Sequence, residues 1–341
     1  MMRDAAPRLR PGGGAPVRYL GFIGVSTAES AIMAVFPEWA KYLDIADVEI
    51  RGHDLPLHAA AERYRALVGA IKADPGEIGA LVTSHKIDLL EACRDQFDYL
   101  DPLAELCGEV SAISKRDGRL RGHALDPISS GRALGEFLES GYFSRTRADV
   151  LLFGAGGADS AISLHLLHAR PPADRPRRLI VVDLSAPRLS ALRTLHERLD
   201  AGVEVTYVNS DDARVNDRLL GELAPGSLVV NGTGMGKDRP GSPLSDDARF
   251  PKQCRVWELN YRGALDFLHQ ALRQQAARDL VVEDGWRYFI HGWTCAMEEV
   301  FEIEMSVSVV DALSQIAREA RERSAVEAAT VNPNRATGAP R

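Results

Sequence analysis

The sequence predicts an α/β protein of two domains: an N-terminal α/β substrate domain, then a Rossmann-type, doubly wound dinucleotide-binding domain. Three observations predict it. The apolar run 150–153 ends abruptly in Gly154-Ala155-Gly156-Gly157-Ala158, and an Ala/Ser/Leu-rich helical stretch follows to Leu167. Strand-like runs then alternate with helical patterns as far as residue 280. Ahead of this block, residues 19–130 carry a separate alternation of their own.

The glycine turn comes first because it carries chemistry. Gly154 permits the tight bend, and Gly156 and Gly157 let a ligand approach the backbone closely. The helix that opens there points unpaired N–H groups and its positive dipole end at the same spot, which suits a pyrophosphate. Taken alone, the turn fits an ordinary glycine bend equally well; its context favours the nucleotide. A Pro/Arg-rich loop, 170–178, leads to a strand, 179–183, that ends in Asp183. An acid closing the second strand accepts both ribose hydroxyls and repels a 2′-phosphate, so Asp183 favours NAD over NADP; its plain alternative is a turn or cap acid. Asp159, in the first helical turn, either complements the dipole or repels pyrophosphate. Helices at 186–199 and 212–223, strands at 203–208, 228–231 and 255–259, and a helical pattern at 265–280 complete the alternation.

Bulk properties narrow the class. A chain of 341 residues with 45% hydrophobic content supports two cores. A net charge of −7 argues against a general nucleic-acid binder. Cys93, Cys107, Cys254 and Cys295 are scattered, without zinc spacing, as expected of reduced thiols in a cytoplasmic protein; no metal is expected. No apolar run is long enough to span a membrane. Residues 1–17 lack a signal-peptide core and, rich in Pro and Gly, predict a disordered arm; residues 324–341 lose apolar periodicity and predict a disordered tail.

The front block reads as strands at 19–25, 48–51 and 79–83, helices at 31–43, 59–71 and 87–97, and a hairpin of 107–114 with 119–125 around Asp117-Gly118. A helix follows at 129–138. The expected organisation is a substrate-binding catalytic domain at 18–130, a nucleotide domain at 131–285, and helices at 286–323 that return to the first domain. A substrate cleft lies between the two domains.

Five segments, in order, resemble landmarks of the shikimate/quinate dehydrogenase family across roughly 19–305. Gly79-Ala80-Leu81-Val82-Thr83-Ser84-His85-Lys86 resembles the strand and loop that deliver the family's catalytic lysine. The segment from Asp117 to Asp126 resembles the one that delivers its partner aspartate. Gly154 to Ala158 matches its GAGGA turn. Asn231-Gly232-Thr233-Gly234-Met235-Gly236 resembles the loop beside the nicotinamide, and Trp257-Glu258-Leu259-Asn260-Tyr261 resembles its strand ending in Asp-x-x-Tyr. Asp284-Gly285 heads a stretch like the family's final segment.

The resemblance implies Lys86 and Asp126 as the catalytic pair, with Ser26, Ser30, Thr83, Ser111 and Tyr261 as substrate-binding residues. It implies Gly154, Ala155, Gly156, Gly157, Ala158, Asp183, Asn231, Thr233 and Gly234 at the cofactor, NAD or NADP. A lysine beside a carboxylate suits hydride transfer, because the hydroxyl proton must move too: the ammonium donates in reduction and the neutral amine accepts in oxidation. Departures from the pattern are informative. The loop before Lys86 is one residue shorter, lacks the usual proline and introduces His85, either a second proton-transfer group or a plain loop residue. Hydroxyl-binding polar residues of the family stand here as Ser111-Ala112, Ala124-Leu125 and Gly292, the last flanked by His291 and Trp293. The carboxylate-binding serine motif persists loosely in Ser26 and Ser30, which equally suit helix caps, and Glu29 is unwelcome beside a carboxylate. The expected function is NAD(P)-dependent oxidation of a ring hydroxyl on a shikimate-, quinate- or cyclitol-like small molecule. No nucleic acid or membrane partner is expected, and the assembly is a monomer or homodimer. The alternatives are a non-catalytic ligand sensor and an NAD enzyme of the same fold with different chemistry, such as epimerisation.

Overall fold

The computed structural model describes residues 17–331 apart from 46, 200 and 238. The expected arm therefore lies outside the described residues except for its last position, as does the end of the expected tail.

The front sheet comprises β1 (Arg18–Gly24), β2 (Val48–Asp54), β3 (Glu77–Val82), β4 (Tyr99–Leu100), β5 (Ala112–Arg116) and β6 (Arg119–His123), in the order β2-β1-β3-β5-β6-β4. β1 runs parallel to β2 and β3, whereas β3 pairs antiparallel with β5. The β5–β6 hairpin turns at Asp117 and Gly118, with φ of 51° and 73°. Two consecutive left-handed residues give a turn whose twist matches that of the flanking strands. The rear sheet comprises β7 (Val150–Phe153), β8 (Arg178–Asp183), β9 (Glu204–Asn209), β10 (Leu228–Asn231), β11 (Arg255–Glu258) and β12 (Val281–Glu283). Its order is β12-β11-β10-β7-β8-β9, with every pair parallel. The strand order reverses between β7 and β10, so the crevice of this doubly wound sheet opens at their carboxyl ends.

Both sheets are covered on both faces. One face of the front sheet packs on helix Ile32–Tyr42 and on the two last helices, Trp286–Phe301 and Val307–Val331; the other packs on helices Ala61–Ala73 and Lys86–Cys93. The chain thus leaves the rear sheet and returns to the front one. Two buried indoles fasten the return: Trp39 Nε1 donates to the Leu313 carbonyl at 2.8 Å, and Trp286 Nε1 donates to Ser314 Oγ at 2.8 Å. Leaving either N–H unpaired in the core would cost about 1–3 kcal/mol.

Several elements differ from expectation. The first arm of the hairpin, expected at 107–114, is β5, Ala112–Arg116, and ahead of it Pro102–Cys107 forms a helix. Asp101 caps it by accepting from Ala104 N–H, and Gly108 ends it at φ 67°. The helix expected at 87–97 begins at Lys86 and stops at Cys93, followed by a 3-10 turn at Arg94–Gln96. The helix expected at 129–138 is Asp126–Gly135, because Pro127 is well suited to a first helical turn. The pattern at 265–280 splits into Asp266–Leu272 and Gln275–Arg278. The last helix continues to Val331, past the point where apolar periodicity ends. Its Ala/Glu-rich sequence sustains helix on propensity.

Two glycine substitutions should move stability in opposite directions. A Cβ on Gly79 in β3 would lie 2.4 Å from the Ile113 carbonyl and 2.8 Å from Val300 of the returning helix. Gly79→Ala should lower stability by about 1–3 kcal/mol or more. Gly69, inside a helix with nothing within 4 Å of a new Cβ, should gain about 0.4–1 kcal/mol as Gly69→Ala. Urea unfolding of both variants checks the pair.

Candidate active site

Lys86 reaches the site through a very short connection. After β3, Thr83 N–H donates to the Ile23 carbonyl, Ser84 adopts φ 61°, and His85 N–H folds back onto the Thr83 carbonyl at 2.7 Å. Lys86 then opens the next helix, and its own carbonyl accepts from Val110 N–H. The missing residue and proline are thus replaced by one left-handed serine. His85 turns inward and is fully buried. Its Nδ1 lies 3.0 Å from Tyr64 Oη, and its Nε2 has no partner among the described residues. His85 does not line the cavity that holds Lys86; it anchors the helix start and is no proton-transfer group there.

Asp126 opens helix Asp126–Gly135, directly after β6. Lys86 Nζ donates to Asp126 Oδ2, and both side chains are about four-fifths covered. The pair lines a cavity of about 380 Å³ together with Thr83, Ala158, Tyr261, Tyr288, Gly292 and Trp293. Burial alone would lower the Lys86 amine, but the carboxylates of Asp126 and Glu109 outweigh it and hold it above its ordinary value. Glu109 is a residue that sequence reasoning missed. It is 6% exposed, and burial pushes its carboxyl up to about 7, with Lys86 opposing and Asp126 reinforcing. Tyr288 was missed too; burial first, then Asp126, Glu109 and Asp159, push its hydroxyl well above the ordinary value.

The remaining residues expected at the substrate divide into three kinds. Thr83 and Tyr261 line the cavity. Ser111 lines it as well, but its hydroxyl accepts from Leu125 N–H at 2.7 Å and donates to the His123 carbonyl, so it ties the hairpin to the Asp126 segment. Ser26 and Ser30 lie elsewhere, in a second cavity of about 650 Å³ that also touches Tyr261. Neither caps a helix through its side chain. Trp293 borders the first cavity, whereas Trp286 is a core tie.

The glycine loop separates the Lys86 cavity from a third one of about 550 Å³. Gly154, Gly156, Asp183, Arg188, Gly232 and Thr233 face that third cavity, and Ala158 faces Lys86. Gly154 takes φ 121°. Asp183 ends β8 with both oxygens engaged, Oδ2 by Ala155 N–H and Oδ1 by Ser185 N–H. Asp159 is fully buried and turned inward. It accepts from Gly156 N–H, and a Cβ on Gly154 or Gly232 would lie 2.5 or 2.0 Å from its carboxylate. Burial, reinforced by Asp183, pushes its carboxyl up to about 7. Asp159 therefore packs the loop from beneath instead of facing a ligand. The N–H groups of Gly157 and Ala158 have no partner among the described residues; Ala158 lines the Lys86 cavity, and Gly157 follows Gly156, which lines the third one. Asn231 is fully buried: its Nδ2 donates to Glu258, and its Oδ1 accepts from Thr233 N–H and Oγ1. It holds Thr233 and does not itself face a cavity. Gly234 supplies a left-handed turn, φ 74°, in the same loop. Glu258, at the strand end resembling Asp-x-x-Tyr, binds Asn231 and Asn260 and is pushed up to about 7 by burial.

The comparisons bear on the chain as a whole. A shikimate dehydrogenase (NADP(+)) of Symbiobacterium thermophilum is 29% identical over 300 residues, covering 84% of this chain and 90% of that protein. Over most of its length the chain is therefore similar to shikimate dehydrogenases. No protein-family model matches it. Among solved structures, quinate dehydrogenase of Corynebacterium glutamicum in complex with NAD superposes with TM-score 0.69 at 23% identity, covering 89% of this chain and 99% of that one. Shikimate 5-dehydrogenase of Listeria monocytogenes in complex with shikimate and NAD gives TM-score 0.68 at 19% identity, covering 92% and 99%. These two share the fold of this shikimate dehydrogenase-like chain. No described helix is long and apolar enough to cross a membrane, and no group of three metal-binding side chains assembles among the described residues.

Glu109 makes stability depend on pH. Between about 4.5 and 7 the folded carboxyl keeps its proton while the unfolded one has lost it, so this contribution falls as pH rises and levels off above 7. Glu109→Gln removes it. The variant should match wild type in thermal midpoint near pH 4.5 and exceed it near pH 8. A lower midpoint at pH 8 would show instead that the attraction between Glu109 and Lys86 outweighs the cost of burial.

Proposed function

We propose that the chain is an NAD-dependent dehydrogenase that interconverts a ring hydroxyl and its ketone on a shikimate-, quinate- or cyclitol-like molecule. The observation that carries the reading is the Lys86–Asp126 pair in the wall of a cavity whose opposite wall starts at Ala158, at the head of the glycine-loop helix. The relatives named above point to the same chemistry.

The loop fits a dinucleotide. Two unpaired amides stand at a helix N-terminus; of the acids around them, Asp159 is packed inward, Asp183 accepts from Ala155 N–H, and the Glu109 carboxyl, which burial raises, lies 3.9 Å from the Cβ position of Gly157. Gly157 and Ala158 would meet the pyrophosphate, Asp183 the adenosine ribose, and Thr233 the loop side of the crevice. The bound nicotinamide supplies the hydride acceptor. Lys86 takes up the hydroxyl proton during oxidation and returns it during reduction. Asp126 accepts from Nζ and so directs the amine into the cavity. Asp183 supports NAD over NADP, although Arg188 in the same cavity offers a guanidinium to a 2′-phosphate.

The ring walls mix two kinds of surface. Leu81, Leu125, Phe289 and Trp293 are apolar, Gly292 has no side chain and the Ser111 hydroxyl is engaged, whereas the Thr83, Tyr261 and Tyr288 hydroxyls have no partner among the described residues. A ring hydroxyl left unpaired costs about 1–3 kcal/mol, so a ring whose hydroxyls reach these three groups fits best.

Wild type should reduce NAD+ in the presence of one of a panel of quinate, shikimate and cyclitols. Thermal stabilisation by a ring compound without any turnover would identify a sensor instead. Lys86→Ala should lower kcat by roughly 10² or more and leave NAD+ affinity nearly intact. Because the Lys86 amine is held above its ordinary value, the neutral form that oxidation needs is scarce near pH 7. The oxidation rate should rise across the alkaline range while the reduction rate does not; an oxidation rate independent of pH there would remove Lys86 as the base. A kcat/KM preference for NADP+ would overturn the role of Asp183 and shift attention to Arg188.

A further inference from the structure

The cavity that holds Ser26 and Ser30 has a composition that the ring chemistry does not use. Arg262, just after the Tyr261 strand end, and Arg321, from the last helix, both face it. Arg321 lies over two aromatic rings, with its guanidinium carbon 4.8 Å from the Trp286 centroid and 5.1 Å from that of Tyr261. A guanidinium stacked in this way keeps its N–H edge available for a planar anion. Among the described residues neither arginine has a carboxylate within ion-pair distance, and the Ser26 and Ser30 hydroxyls have no side-chain partner. Glu29 is the one acid lining the cavity, and it is exposed. Two cations against one carboxylate leave a local positive charge in a chain whose net charge is −7. Burial raises the Tyr261 hydroxyl, and the next influences on it are the opposing charges of Arg262 and Arg321, so both cations sit close to the residue that the two cavities share.

We infer that Arg262 and Arg321 form an anion-binding subsite, which holds a carboxylate or other anionic substituent of the ring substrate at the end remote from Lys86. The serines contribute neutral donors beside them. The anchoring charge has thereby passed from a hydroxyl pair, as the resemblance implies, to a pair of guanidiniums that reach the site from the back of the molecule. The volume fits this division. About 380 Å³ beside Lys86 accommodates a ring, and about 650 Å³ beyond Tyr261 accommodates what the ring carries.

The inference rests on the dehydrogenase reading only for the position of the ring, and its test separates the two. Quinate, which carries a carboxylate, is compared with myo-inositol, which does not, on wild type, Arg262→Gln, Arg321→Gln and Arg321→Lys. Direct binding is measured by calorimetry, and KM and kcat wherever turnover occurs. Wild type should bind quinate more tightly than inositol. Each glutamine variant should weaken quinate binding roughly tenfold or more, leave inositol unchanged and alter kcat little, with partial rescue by lysine. Tight quinate binding that both variants weaken, without turnover of either compound, supports the subsite and sinks the dehydrogenase reading. Wild type that binds inositol as well as quinate, or neither, overturns the subsite. So does a variant that weakens both compounds equally or neither.

Discussion

The ion pair between Lys86 and Asp126 organises the front half of the molecule. Each partner opens a helix, so two helix N-termini converge on one cavity, and each brings positive dipole ends. A lysine at such a place repels both dipoles unless a carboxylate stands beside it. Asp126 compensates at once for the ammonium and for its own helix. Burial pushes the Glu109 carboxyl up to about 7, with Lys86 opposing and Asp126 reinforcing the rise. The arrangement sets the amine's proton affinity from three sides: burial lowers it, Asp126 raises it strongly, and Glu109 raises it as it ionises.

The second constraint is the return of the chain to its first domain. Gly285 lies so close to the Leu259 carbonyl that a Cβ would come within 1.9 Å of it, and only this approach lets helix Trp286–Phe301 begin beside the strand end that carries Tyr261. The helix packs its apolar side on the front sheet. Its polar side joins the linker, where Glu136 binds Arg287 and His291 and is pulled down to about 2, burial opposing those two partners. Tyr261 and Arg262 follow β11 of the rear sheet, whereas Arg321 comes from the last helix, packed on the front sheet, so the second cavity is lined from both halves of the molecule.

Much of the architecture was legible in the sequence because it rests on local rules. The glycine turn, the alternation behind it and the Asp117-Gly118 hairpin each follow from backbone sterics or apolar period. Helix Pro102–Cys107 was also written there, in Asp101-Pro102 and Gly108, but a short run of mixed apolar residues before a hairpin suits a strand equally well. At the site, residue identities were readable and hydrogen-bond directions were not. Ser111 and Asn231 resemble ligand-binding positions, yet the structure spends their polar atoms on Leu125, His123, Glu258 and Thr233. Glu109 and Tyr288 had no spacing or motif to mark them. What brings them to Lys86 is the packing of segments far apart in the chain.

The same division explains how such a site changes its ligand while keeping its reaction. The Lys86–Asp126 pair is bound by geometry: each residue opens a helix, so a substitution there disturbs a helix start as well as the ion pair. The ring walls carry no such linkage. Replacing a donor by Leu125 or Gly292 changes one contact and leaves the backbone where it was. Losing neutral donors weakens every polyhydroxylated ring alike, and an anion anchor restores affinity only to rings that carry the matching charge. On the proposed reading, Arg262 and the stacked Arg321 supply that anchor in the cavity beyond Tyr261. Selectivity in this fold therefore moves to the periphery of the cavity while the chemistry stays at its centre.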